Sequence, residues 1–195
     1  MEKGNYLSTI LRSKKTVFTF KDLILMWGES KKETARVRVN YYLKKRNLYR
    51  IRRGFYAKDK NYDKLELATR IFTPAYISFE TVLGRAGVVF QYYDRILTAS
   101  YLTREIKVDG QSYAYRKIKS TVLTNKKGVE DRGEYSVASP ERAFLDTLYI
   151  NKDYYFDNLT PLDWKEVFEI LPIYNSKRMS KKVDKLYNQI KAQEK

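Results

Sequence analysis

The chain has 195 residues, 43% of them hydrophobic and 15% aromatic, which suffices for one large domain or two small ones and is far from a disordered composition. It contains no Cys and no His, which excludes disulfides, thiolate nucleophiles, Cys/His zinc sites, Ser-His-Asp triads and imidazole acid–base chemistry. Its 39 Lys and Arg against 23 Asp and Glu leave a net charge of +16, which points to a polyanionic partner or an anionic surface.

Met1 to Ser13 has no signal-peptide apolar core, and no apolar run approaches the roughly 18 residues of a membrane span, so a soluble, cytoplasmic chain without a membrane partner is expected. Tyr6 to Arg12 is a short helical segment with Tyr6, Leu7, Ile10 and Leu11 on one face, and Thr16 to Phe18 is β-branched and aromatic. Thr19, with Asp22 three residues on, caps a helix through Leu23, Ile24, Met26 and Trp27 that Gly28 closes. Ser30 and Glu33 form a second Ser-x-x-Glu box before a longer helix reaching about Arg46, and the Gly28-Glu29-Ser30 junction makes the pair a helix-turn-helix by spacing. Ala35, Val39, Tyr42 and Leu43 share its apolar stripe, leaving Lys32, Thr34, Arg36, Asn40, Tyr41 and Lys44 outside. Leu48-Tyr49-Arg50-Ile51-Arg52 then alternates apolar and basic, Arg53-Gly54 turns and Phe55-Tyr56-Ala57 returns, a β-hairpin wing.

Asn61 to Phe72 predicts a linker helix stopped by Pro74, and Ser78 is placed to cap a helix through Thr81, Val82 and Leu83, with Gly87 as its closing glycine. From Arg95 to Leu123 β-branched and aromatic residues alternate with polar ones, and Asp109-Gly110 joins Glu105–Val108 to Ser112–Arg116 in a hairpin, so a small antiparallel sheet is expected. A strand at Tyr135–Val137 leads to Ser139-Pro140, an N-cap and first-turn proline opening a helix through Ile150. Thr160-Pro161 repeats the device before Trp164, and a final helix starts at about Ser180.

Charge divides along these elements. Residues 1–60 carry 17 basic against 5 acidic side chains, residues 61–175 carry 15 against 16, and residues 176–195 carry 7 against 2. The basic excess of the head, shared by its second helix and hairpin, favours nucleic acid over a merely solvated surface. Thr34, Arg36 and Asn40 are candidates for base contact, Lys31, Lys32, Arg38 and Lys44 for phosphate, and Arg50, Arg52 and Arg53 for wing contacts near the minor groove. Lys177, Arg178, Lys181, Lys182 and Lys185 make a second basic cluster, open to either a solvated helix or a second phosphate surface; the acids between Asp153 and Glu169 fit exposed helix or a partner surface. Asp94, Glu105 and Lys107 match the spacing of a magnesium-dependent nuclease strand motif, the competing enzymatic reading. No Gly-rich phosphate loop is present.

The order of motifs resembles the AbiEi family, the antitoxin half of type IV, abortive-infection toxin–antitoxin pairs in bacteria. The resemblance runs over about residues 6–150 and is carried by Leu48-Tyr49-Arg50-Ile51-Arg52-Arg53-Gly54-Phe55-Tyr56, by Tyr76-Ile77-Ser78-Phe79-Glu80-Thr81-Val82-Leu83 with Gly87, and by Tyr135-Ser136-Val137-Ala138-Ser139-Pro140-Glu141-Arg142-Ala143-Phe144-Leu145-Asp146. Asn47 stands where a Gly commonly precedes the wing, and Ala86 where that family usually has His. The resemblance implies a repressor that binds inverted repeats of double-stranded DNA in its own operon's promoter. Its C-terminal domain would counteract a nucleotidyltransferase-like toxin encoded alongside, without a stable complex.

The expected fold is therefore α+β: a winged helix-turn-helix domain over residues 1–60, then a mixed domain over 61–195 with a small antiparallel sheet and several helices. Residues 61–75 form its linker helix and 176–195 its basic terminal helix. The function expected is a DNA-binding antitoxin, not an enzyme, with no catalytic residue, cofactor or metal site. The alternatives are the nuclease and a ligand-sensing regulator without a toxin.

Overall fold

The computed structural model describes residues 6–91 and 93–193, so the first five residues of the stretch read for a leader and the last two of the expected 176–195 helix lie outside the described residues. The chain divides into two units, Met1–Leu67 and Ala68–Lys195, the division falling within the expected linker helix rather than after Lys60.

In the first unit the elements run α1 (Tyr6–Arg12), β1 (Val17–Thr19), α2 (Phe20–Trp27), α3 (Lys32–Lys44), β2 (Tyr49–Arg52) and β3 (Phe55–Ala57). The strands form a small antiparallel sheet of order β1-β3-β2, with Phe18 opposite Tyr56 and Arg50 opposite Tyr56 on the other side. Gly54 makes the hairpin turn at φ 82°, where a side chain would be strained, and a bulge separates Arg50 from Arg52. Ile10, Phe18, Leu23, Trp27, Val39, Leu48 and Tyr56 are the core, so α1, β1, α2, α3, β3 and the residue before β2 contribute to one apolar cluster. The capping box at Thr19 and Asp22 is formed, and Gly28 ends α2 in the left-handed conformation. Ser30 does not cap α3: Lys31 occupies that position without a side-chain cap bond, because α3 starts one residue later than the Ser-x-x-Glu spacing implies, and it ends at Lys44 rather than Arg46.

A helix α4 (Lys64–Ile71) leads into the second unit, whose elements are β4 (Ala75–Ile77), α5 (Glu80–Leu83), β5 (Arg95–Ser100), β6 (Arg104–Val108), β7 (Gln111–Lys117), α6 (Ser120–Leu123), β8 (Val129–Asp131), β9 (Ser136–Ala138), α7 (Pro140–Ile150), α8 (Trp164–Ile170), a 3-10 turn (Leu171–Tyr174) and α9 (Lys177–Gln193). The sheet here is six-stranded and mixed, of order β6-β7-β5-β4-β9-β8, which corrects the small antiparallel sheet expected. The Asp109-Gly110 hairpin is present, but β7 inserts between β5 and β6 and runs parallel to β5, and β4 runs parallel to β9. Alternation within a strand carries no information about such non-local partners.

Three caps differ from expectation. Ser78 points its hydroxyl at Asp146, 2.8 Å away, and leaves the start of α5 to Phe79, held at φ 57°. The segment closing that turn is short: α5 ends at Leu83, and Gly87 follows in the left-handed conformation. Thr160 is displaced by Asp163, whose carboxylate accepts from the amides of Lys165 and Glu166 to open α8. Ser120–Leu123 is a helical turn rather than strand, and α9 starts at Lys177, three residues before the expected Ser180. Ser139 caps α7 as expected, accepting from the Arg142 amide with Pro140 in the first turn.

Candidate nucleic-acid interface

The capping box and the Gly28 turn fix the two ends of α2, and Ala35 and Val39 bury one face of α3 in the core. With that face anchored, the periodicity of the helix directs the remaining side chains outward. Lys31, Lys32, Thr34, Arg36, Asn40 and Lys44 are all exposed, as are Arg50 on β2 and Arg53 in the hairpin turn. Exposed Lys45 and Arg46 extend this basic set beyond the residues singled out in sequence. The pattern that marks them is simply the Lys-Lys-Arg run at the end of α3.

Two of the expected contacts are placed differently. Arg38 is turned inward, paired with Glu29 at 3.1 Å, and its guanidinium lies 3.6 Å from the centre of the Tyr6 ring and 5.3 Å from that of Trp27. It ties α1, the end of α2 and α3 together instead of standing free for phosphate. Arg52 is half-buried with its guanidinium 6.0 Å from the Phe55 ring centre, so its stem packs on the hairpin.

The acids of this unit are drawn into local structure. Asp22 completes the α2 cap, and Glu29 holds Arg38. Glu66 is buried and accepts from the Thr16 amide and hydroxyl and from the Val17 amide at 2.7–3.2 Å. Asp63 caps α4 by accepting from Leu65 and Glu66, while Asp59 accepts from the Asn61 amide. Carboxylates spent inward leave the outward cations of α3 and the hairpin with little local neutralisation, and Glu33 is the exposed acid on α3 itself.

In the second unit the two motifs behind the family resemblance meet in one buried polar cluster. Asp146 accepts from Arg142 Nε (3.2 Å) and the Tyr174 hydroxyl (2.7 Å) at one oxygen, and from the Tyr76 (2.9 Å) and Ser78 (2.8 Å) hydroxyls at the other. Arg142 donates also to the Tyr76 hydroxyl and to the carbonyls of Val122, Asn125 and Lys127. Burial and the neighbouring Asp146 charge push the Tyr76 and Tyr174 phenols well above their usual range, so both remain donors. Burial also pushes the Asp146 carboxyl up; burial alone would lower the Arg142 guanidinium, but Asp146, Tyr174 and Tyr76 together hold it above its ordinary value. These directions pull opposite ways on one pair, and the geometry decides for the ionised form: four donors converge on two oxygens, which only a carboxylate accepts in full. With both side chains fully buried, the cluster is a fold-holding device rather than a substrate site.

The alternative nuclease residues do come together. Asp94, Glu105 and Lys107 line a cavity of about 590 Å³ together with Arg95. Glu105, however, is paired with Arg95 at 2.9 Å across β7, and among the described residues no group of three acidic side chains could hold a metal ion. Lys177, Arg178, Lys181 and Lys185 are exposed on α9, with Lys182 half-buried and Met179 and Val183 on the inner face. Among the described residues no helix is long and apolar enough to cross a membrane. No family model matches the chain, and no curated protein is significantly similar to it.

Proposed function

We propose that this chain is a DNA-binding antitoxin. Its first unit acts as a winged helix-turn-helix that represses its own operon, and its second unit counteracts a nucleotidyltransferase-like toxin in the cytoplasm. The observation that carries the DNA half is the outward basic set on α3 and the hairpin, which Glu33 offsets only in part while the acids Asp22, Glu29 and Glu66 are turned into caps and core contacts. Element order supports the winged-helix reading: helix, strand, helix, tight turn, helix and hairpin, with the first strand added beside the second hairpin strand. On this reading α3 enters the major groove, Thr34, Arg36 and Asn40 face base edges, and Lys31, Lys32 and Lys44 neutralise phosphate, while Arg50 and Arg53 make wing contacts near the minor groove.

The antitoxin half rests on the resemblance of the Tyr76–Leu83 and Ser139–Asp146 motifs to the AbiEi family. The nuclease alternative draws no support from Glu105, whose charge is already met by Arg95.

Two measurements test the proposal. Binding to the duplex upstream of the chain's own gene, followed by fluorescence anisotropy over a salt series, is expected to be specific and steeply salt-dependent. Co-expression with the product of the adjacent gene is expected to restore growth that this product alone arrests. No duplex binding at low salt would reject the first half, and no rescue would reject the second.

A further inference from the structure

α3 carries one feature that basic charge does not explain. Val37 is 70% exposed and Tyr41 55% exposed, four residues apart on the outward face of the helix. At about 100° per residue, Val37 lies about 175° from the mean direction of Ala35, Val39, Tyr42 and Leu43, at the centre of the solvent face, whereas Arg36 lies well round toward the flank. A β-branched residue at that position adds nothing to helix propensity and buries little of its surface in the unit.

Glu33, Thr34, Asn40 and Lys44 surround this apolar centre, and all four are exposed; Lys32 lies about 140° round the helix from Val37. Two side chains make too small a patch for a protein interface, which needs roughly 800 Å² from each partner. Hydrogen-bonding side chains around it, set within the wider exposed basic set of Lys31, Arg36, Lys44, Arg50 and Arg53, instead match a polyanion whose interior presents small apolar groups. In the major groove a single base feature fits that description, the 5-methyl group of thymine.

We propose that Val37, with Tyr41 beside it, reads thymine methyl groups, so that base discrimination at the centre of the site is apolar. This deepens the DNA-binding reading and rests on it. Val37 has no hydrogen-bonding atom and selects through methyl contact and exclusion of water. The Tyr41 ring, held edge-on against Tyr42 at 5.4 Å between centres, supplies a fixed wall for a second methyl contact.

The test starts from a random duplex pool carried through several rounds of binding to the full-length protein. On the enriched duplex, each thymine is replaced in turn by deoxyuridine, which removes one methyl and leaves pairing unchanged. At one or more positions affinity is expected to fall about fourfold, the effect of one buried methyl. Val37→Ser, which removes both methyl groups, is expected to bind thymine and deoxyuridine duplexes equally at that position, with its salt slope and melting temperature nearly unchanged. Sequence-specific binding indifferent to every thymine-to-deoxyuridine change overturns this proposal alone. A pool that yields no salt-dependent duplex binding overturns the DNA reading with it.

Discussion

Arg142 and Asp146 stand one turn apart on α7 and form an ion pair of 3.2 Å, neither side chain having any exposed surface. Arg142 reaches the Val122 carbonyl in α6 and two carbonyls of the segment between α6 and β8, and Asp146 gathers hydroxyls from β4, from the residue after it and from the 3-10 turn. A single pair thus fixes four otherwise separate stretches of chain. Breaking a buried pair leaves a stranded charge, which costs about 3–5 kcal/mol. Asp146→Ala is therefore expected to lose most of the stability of the second unit. Tyr174→Phe, which removes one hydrogen bond to a charged oxygen, is expected to lose about 1.5–3 kcal/mol. Urea denaturation of the two variants gives both values, and an Asp146→Ala protein as stable as the parent would show the pair to be idle.

Gly128 lies against that pair. It sits at φ +69°, and a Cβ there would come within 2.7 Å of Ile170 Cδ1 and 2.9 Å of Arg142 Cβ. Gly133 has φ +86° with nothing within 4 Å. Alanine at either position meets the left-handed penalty of roughly 1–2 kcal/mol, but at Gly128 overpacking adds about 1–3 kcal/mol. Gly128→Ala is thus expected to unfold at clearly lower urea than Gly133→Ala. Equal midpoints would mean that the Arg142 and Ile170 side chains move aside freely.

The sequence is most legible where structure is local. The Thr19–Asp22 box, the Gly28 stop, the Asp109-Gly110 hairpin and the Ser139-Pro140 opening each depend on a few neighbouring residues, and each forms. Ser78 misleads because a serine before a helix has two uses, and a buried carboxylate 68 residues away takes its hydroxyl. The insertion of β7 between β5 and β6 leaves no periodic mark either, since the same alternation serves any neighbour. Arg38 reads as one more exposed cation until the Tyr6 and Trp27 rings and Glu29 are brought around it. Val37 is the reverse case: the helical period alone places it outside, and its apolar character there is visible without coordinates.

Glu166 supplies a pH dependence of known sign. Its modest burial, the carboxyl of Glu141 hydrogen-bonded to it and the charges of Asp163 and Glu169 raise its pKa above the ordinary 4.5. The folded protein therefore holds this proton more tightly than the unfolded chain does. Its favourable contribution is complete below pH 4.5 and is lost as pH rises through the folded value. Glu166→Gln removes the repulsion, so it is expected to melt above the parent at pH 7.5, with the difference closing as pH falls toward 4.5. A difference that instead grows on acidification contradicts the assignment.

Arg38 and Arg53 separate structure from binding within the same basic set. Arg38 is paired to Glu29 and stacked on Tyr6, so Arg38→Ala is expected to lower the melting temperature and to leave the salt slope of duplex binding nearly unchanged when measured well below that temperature. Arg53 is exposed in the hairpin turn, and Arg53→Gln is expected to do the opposite. Its melting temperature stays at the parental value, and the slope of log affinity against log salt falls by about one, the loss of a single neutralised phosphate. Both variants keep the same formal charge relative to each other, which removes net charge as an explanation for any difference between them. If Arg38→Ala reduced the slope as much as Arg53→Gln without loss of stability, the inward pairing with Glu29 would have to open on DNA, and the division of labour drawn from the free protein would fail.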